Sequence, residues 1–167
     1  MLNYFLFCLS PKSRSTNQGF TLIELLVTIV IVGVLSAISV PALLANIGKA
    51  RETEATSILG SIVRSQHAFH FQTQTFATTM VELRGGVPTS AQYYDFPDPS
   101  VANNNLAKHQ AIPLSPWNNA SRIFAGGTYH NAGAFQTAIC RAKAIGETVV
   151  APNTPLDSCS NGGVRVK

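Results

Sequence analysis

Gly19-Phe20-Thr21-Leu22-Ile23-Glu24-Leu25-Leu26-Val27 opens an apolar stretch that continues to Ile47, and from Phe20 to Ile47 the only charged residue is Glu24. A helix of about 20 residues covers the hydrocarbon core of a bilayer, so this stretch is long enough to cross a membrane. Lys12 and Arg14 lie just before it, whereas Lys49 and Arg51 after it are offset by Glu52 and Glu54. Basic flanks stay on the cytoplasmic side, which places the N-terminus inside and the residues after Gly48 outside. A secretory signal peptide, cleaved near Ala37-Ile38-Ser39, is the competing reading. Against it, such apolar regions normally span about 7–15 residues. This run is longer, carries a carboxylate near its start, and continues in helical rhythm from Lys49 to Val63.

Glu24 is the residue that demands an explanation. A charge inside a membrane helix costs at least about 2.5 kcal/mol and therefore calls for a named partner. No basic side chain lies within a turn or two of it. Cutting the chain after Gly19 would create one, because the new α-amino group of Phe20 would be mostly cationic near neutrality.

The combination of a basic leader ending in Gly19, the following Phe20, Glu24 four residues later, the apolar run and Pro41 at its far end resembles the prepilin signature of type IV pilins and type II secretion pseudopilins. The resemblance covers about Lys12 to Arg51. It implies cleavage between Gly19 and Phe20 by a prepilin peptidase on the cytoplasmic side, and N-methylation of Phe20. It also implies that Glu24 neutralises the amine of a neighbouring subunit; pairing with Phe20 of the same chain, one helical turn away, stays open. Gly19 suits an accessible scissile site because it adds no side chain. The leader departs from the usual short polar form, since Leu2 to Leu9 is mostly apolar. Cys8 lacks the small preceding residues of a lipoprotein site.

On this reading residues 1–19 are a removable leader, 20–48 a transmembrane and polymerisation helix, and 49–167 a globular domain. The expected fold is α+β and pilin-like: a long N-terminal helix packed on a small antiparallel sheet, with a disulfide-closed C-terminal loop. From Lys49 to Phe71, Ile58, Leu59, Ile62, Val63 and Phe69 recur at helical spacing, with Arg51, Glu52, Arg64 and Gln66 between them. Ile58, Ile62 and Phe69 are the expected core residues of this half. The whole element, from Phe20 to the early seventies, would measure about 80 Å, interrupted by a bend or loosening near Ala37 to Pro41. Beyond Thr78 the composition turns to Gly, Pro, Asn, Thr and Ser around short apolar runs. Candidate strands are Gln92–Phe96, His109–Leu114, Arg122–Ala125 and Ala134–Arg141, with Thr148–Ala151 the weakest, and Gly126-Gly127 reads as a turn. Removing the leader with Cys8 leaves Cys140 and Cys159, either one disulfide or two free thiols; pilins that the chain resembles often staple this region.

Other constellations do not converge on chemistry. His67 and His70, three apart on the helix, lack a third ligand and read as a surface or core-edge pair rather than a metal site. Asp95 and Asp98 are half of a calcium loop at most, and with Pro97 and Pro99 they fit a plain turn. Some pseudopilins bind calcium in this region. Tyr93, Tyr94 and Trp117 fit packing better than surface stacking, and Asn119-Ala120-Ser121 is a formal glycosylation sequon. Arg165 and Lys167 end the chain with charge. The charged share is 12% and the formal net charge +4, with no basic cluster, so nucleic acid as a partner gains little support. No nucleophile elbow, phosphate loop or zinc spacing is present, which argues against an enzyme and implies no cofactor or metal.

The expected role is therefore structural. The chain would be a type IV pilus subunit held in the inner membrane, then polymerised with other pilin subunits by an ATPase-driven assembly platform and displayed on the cell surface. The alternatives are a type II secretion pseudopilin and a single-pass anchored binding module. Because lipid tails are as apolar as leucine, moving the helix from bilayer to filament gains little hydrophobic free energy, and packing with charge pairing must supply the specificity.

Overall fold

The computed structural model describes residues 19–83 and 87–166. The leader residues Lys12, Arg14 and Cys8, and the terminal Lys167, lie outside them. The chain divides into two units between Pro41 and Ala42. The first consists of the opening half of helix α1, which as a whole runs Leu22–Thr73. Its apolar side chains, among them Leu22, Ile29, Val32 and Ile38, are all exposed. α1 remains helical at Pro41, so the proline does not end it. One proline removes one donor, and the neighbouring turns keep theirs.

In the second unit, α1 packs across an antiparallel sheet of six strands: β1 (Tyr94–Asp95), β2 (Val101–Ala102), β3 (Leu106–Pro113), β4 (Phe124–Asn131), β5 (Ala134–Arg141) and β6 (Val164–Arg165). The order is β1-β3-β4-β5-β6, with β2 paired to β3 off that path. Ala55, Leu59, Ile62, Val63, Gln66 and His70 form the buried helix face. Full burial of a side chain such as Leu59 or Ile62 contributes about 1.5–3 kcal/mol. Ile62 is therefore core as expected, whereas Ile58 and Phe69 sit half-buried at its margin.

Gln66 overturns the polar assignment made from its chemistry. It is fully buried, its Oε1 accepts from the Ala77 amide at 2.9 Å, and its Nε2 donates to the Ala77 carbonyl at 3.1 Å. That reciprocal pair satisfies the backbone of the turn leaving the helix, which is what makes a buried amide tolerable.

The strands differ from expectation mainly around β4. Ala134–Arg141 forms β5 with the expected limits, whereas the expected Gln92–Phe96 shrinks to Tyr94–Asp95 and β3 starts earlier, at Leu106. The Gly126-Gly127 pair is not a turn but the middle of β4, buried on both sides. A side chain at Gly126 would touch Leu59 and Val63 of α1, while one at Gly127 would collide with Tyr129 and Ala151 on the opposite face. The two glycines thus let helix and loop approach the same strand from either side.

Thr148–Ala151 is no strand. It is irregular backbone tied down by side chains: the Val150 amide donates to Ser160 Oγ, and Asn161 Nδ2 donates to the Thr148 carbonyl. This segment, with Val149, Ala151 and the Cys140–Cys159 disulfide, covers the sheet face opposite α1. Closing a loop over that sequence separation of 19 contributes about 3 kcal/mol in the chain-entropy picture.

Candidate functional site

Gly19 and Phe20 precede α1 and are exposed, as are Glu24 and Pro41 within it. Thr21 starts the helix. Its carbonyl accepts from the Leu25 amide at 3.2 Å, and its Oγ1 accepts from the Glu24 amide at 3.3 Å. Thr21-Leu22-Ile23-Glu24 thus has the spacing of a capping box, with Glu24 in the first turn beside unpaired amides and the positive end of the helix dipole. The signal for this motif is local in the sequence, Thr21 followed three residues later by Glu24.

A Cβ at Gly19 would meet no atom within 4 Å. Among the described residues, no neighbour requires glycine there. Along the apolar half, Thr28 Oγ1 donates to the Leu25 carbonyl and Ser39 Oγ to the Ser36 carbonyl, so these hydroxyls are satisfied by the helix itself. Glu24 differs. Among the described residues no cation pairs with its carboxylate.

Within the second unit, the first turns after the apolar run carry a charged collar. Glu52 pairs with Arg122 at 3.5 Å and Arg141 at 3.9 Å, contributed by the approach to β4 and the end of β5. Arg51 lies over the ring of Trp117, 3.8 Å from its centroid, and 5.3 Å from that of Tyr93. Glu54 accepts from the Tyr93 amide. Tyr94 is buried and donates its hydroxyl to the Arg122 carbonyl. All three aromatics are thus packing residues, and two of them grip a guanidinium.

Residues 52–160, well over half the chain, match the family described as type IV pilin-like G and H, and residues 14–40 match the prokaryotic N-terminal methylation motif. The chain belongs to the type IV pilin-like family. Its long N-terminal helix, antiparallel sheet and disulfide-closed C-terminal region are the pilin fold. It is 29% identical to type II secretion system core protein G of Aeromonas hydrophila over 119 residues, covering 70% of this chain and 78% of that protein. With the protein of that name from Escherichia coli it shares 29% over 109 residues, 65% of this chain and 72% of that one. The type IV wide pilus major component PilA4 of Thermus thermophilus is 35% identical over 66 residues, 40% of this chain and 50% of its own length.

The remaining candidates of this pilin-like chain make contacts within the fold. Asp98 Oδ1 accepts from the Met80 amide and so staples a loop. His70 is buried with Nε2 2.7 Å from the Asn104 carbonyl, and its ring packs on Phe76, His130 and Phe135. His67 stacks on Phe135. Burial, and secondarily His70, lowers the His67 pKa. No group of three or more metal-ligating side chains that could hold an ion occurs among the described residues.

His109, unremarked in the sequence, is the more consequential histidine. Gln66 Nε2, already oriented by Ala77, lies 2.9 Å from His109 Nε2 and can only donate, so the imidazole is neutral with its proton on Nδ1. Burial lowers its pKa from 6.5 to about 4, with Asp98 pulling weakly upward. The unfolded chain therefore binds more protons between those values. The stabilisation is complete above about pH 6.5 and is lost as pH falls toward 4, by roughly 3 kcal/mol. Thermal unfolding followed from pH 7 to 4 should show a falling Tm, and His109→Leu should flatten that decline. An unchanged slope in the variant assigns the acid sensitivity to other groups.

Proposed function

We propose that the chain is a structural subunit of a bacterial type IV pilus. In this reading a prepilin peptidase removes residues 1–19 and methylates the amine of Phe20. Residues 20–48 hold the subunit in the inner membrane with its N-terminus cytoplasmic. The assembly platform then packs that helix against those of other pilin subunits, leaving residues 49–167 on the filament surface. Its work is assembly rather than catalysis.

One observation carries the reading: an apolar helix half whose side chains are exposed among the described residues, bearing one exposed carboxylate in its first turn, directly after Gly19-Phe20. An anion buried in an apolar bundle is tolerable only beside a cation. Cleavage after Gly19 supplies that cation one residue before the helix cap. Pro41 fits the same picture as a point at which the helix can loosen when it leaves the bilayer.

The test is N-terminal sequencing and intact mass of material sheared from the cells that make the protein. A mature chain beginning at N-methylated Phe20 is the expected result, and any other start removes the cleavage assignment. Gly19→Leu should leave a heavier, membrane-retained species, and unchanged mobility of that variant counts equally against it.

A second reading is a type II secretion pseudopilin, favoured by the relatives named core protein G, which align over about 70% of the chain where PilA4 aligns over 40%. Deleting the gene separates the two. Loss of surface filaments with normal protein secretion supports the pilus, and the reverse supports the pseudopilin.

A further inference from the structure

We infer that the charged collar of the globular unit binds the phosphate groups of anionic phospholipids on the outer face of the inner membrane before assembly. The inference rests on the membrane reading above and goes beyond it, because an apolar helix inserts without regard to headgroup charge.

Linear sequence places Lys49 and Arg51 against Glu52 and Glu54, a balanced flank. Folding changes that balance by bringing Arg122, 70 residues away, and Arg141 onto Glu52. One carboxylate then faces two guanidiniums, and the collar as a whole holds four cations against two anions. The Arg122 and Arg141 side chains remain about one third exposed, at 33% and 36%, whereas Glu52 is at 18%, so solvent meets mainly the positive partners. Lys49 and Arg141 border one shallow cleft beside Glu52 and Phe124.

Depth identifies the partner. In this same unit α1 still presents Leu43, Leu44 and Ile47 as exposed apolar residues, and Gly48 ends that run. Glu52 lies about 6 Å further along the helix axis, and the polar layer on each side of a bilayer is about 5–8 Å deep. The guanidiniums therefore lie at headgroup level, where a phosphate diester is the abundant anion. Arginine's planar fork matches its oxygens.

The single tryptophan of the chain, Trp117, is stacked on Arg51 and reports the collar directly. The full-length protein would be reconstituted in phosphatidylcholine vesicles with and without about 30 mol% phosphatidylglycerol, each carrying a nitroxide on a lipid headgroup. Trp117 quenching should be at least about twofold stronger with the anionic lipid at low salt, and the difference should vanish near 0.5 M salt, where screening is short-ranged. Arg122→Gln with Arg141→Gln should abolish the difference. Because that pair strands Glu52, the exposed Lys49→Gln serves as the variant that leaves the packing untouched, and it should reduce the difference by roughly half.

Equal quenching in both lipids by protein that still floats with the vesicles overturns the inference and leaves the membrane reading standing. Protein that does not float overturns both. Inorganic phosphate that suppresses the difference more than chloride at equal ionic strength assigns the collar to a soluble anion and overturns the lipid assignment.

Discussion

Glu24→Ala should yield a chain that reaches the inner membrane and loses its leader normally, yet is depleted from sheared filaments by about 100-fold or more. Two roles for Glu24 lead to very different magnitudes. As a first-turn carboxylate above the Thr21 cap, it steadies the helix start. That interaction is worth about 0.3–1 kcal/mol, a depletion of no more than about fivefold. As the partner of a Phe20 amine inside an apolar bundle, its loss strands a buried cation at about 3–5 kcal/mol, or about two to nearly four orders of magnitude in an equilibrium. Quantifying variant against native subunit in sheared and membrane fractions of a mixed strain distinguishes them. A depletion below about fivefold would reduce Glu24 to a helix-start residue and remove the assembly argument. Glu24→Gln should behave nearly as badly as Ala, because a neutral amide leaves the amine charged.

What sequence made legible follows the range of the forces involved. The apolar run and the stripe at Leu59, Ile62 and Val63 are local periodic patterns, and they became α1 and its buried face. Strand β5 was legible because Ala134–Arg141 is bounded by turn residues on both sides. Strands β2 and β6, each two residues long, carry no periodicity to detect. Gln66 and His109 were not legible as core, because their burial depends on each other and on the Ala77 backbone. The collar escaped for the same reason, since the partners of Glu52, Arg122 before β4 and Arg141 at the end of β5, lie far along the chain. Of the proposed assembly segment, Gly19, Phe20 and Glu24 carry the family resemblance because they stand within a few positions of one another in the sequence. The capping geometry at Thr21 was equally local but was eclipsed by the larger electrostatic question.

Gly126-Gly127 shows how one dipeptide can carry opposite meanings, and substitution there should separate them. Gly126→Ala places its Cβ 3.5 Å from Leu59 Cδ2 and 3.6 Å from Val63 Cγ2, ordinary packing distances. Alanine also restricts the unfolded chain, so this variant should be neutral or stabilised by about 0.4–1 kcal/mol. Gly127→Ala instead places its Cβ 2.8 Å from Tyr129 Cζ and 3.0 Å from Ala151 Cβ. Tyr129 cannot swing away cheaply, since the residue is only 4% exposed and its hydroxyl donates to the Pro152 carbonyl at 2.8 Å. Moving it breaks the bond that fastens the C-terminal segment to the sheet, adding about 1 kcal/mol to an overpacking cost of about 1–3 kcal/mol. Thermal unfolding of the detergent-solubilised chain should therefore place Gly127→Ala roughly 10 °C below Gly126→Ala. Adding Tyr129→Leu to Gly127→Ala should cost less than the two single changes together, because the smaller side chain frees the space that alanine claims. Equal Tm values for the two single variants would mean that the C-terminal segment does not press on β4 as closely as its packing on Tyr129 and Ala151 requires.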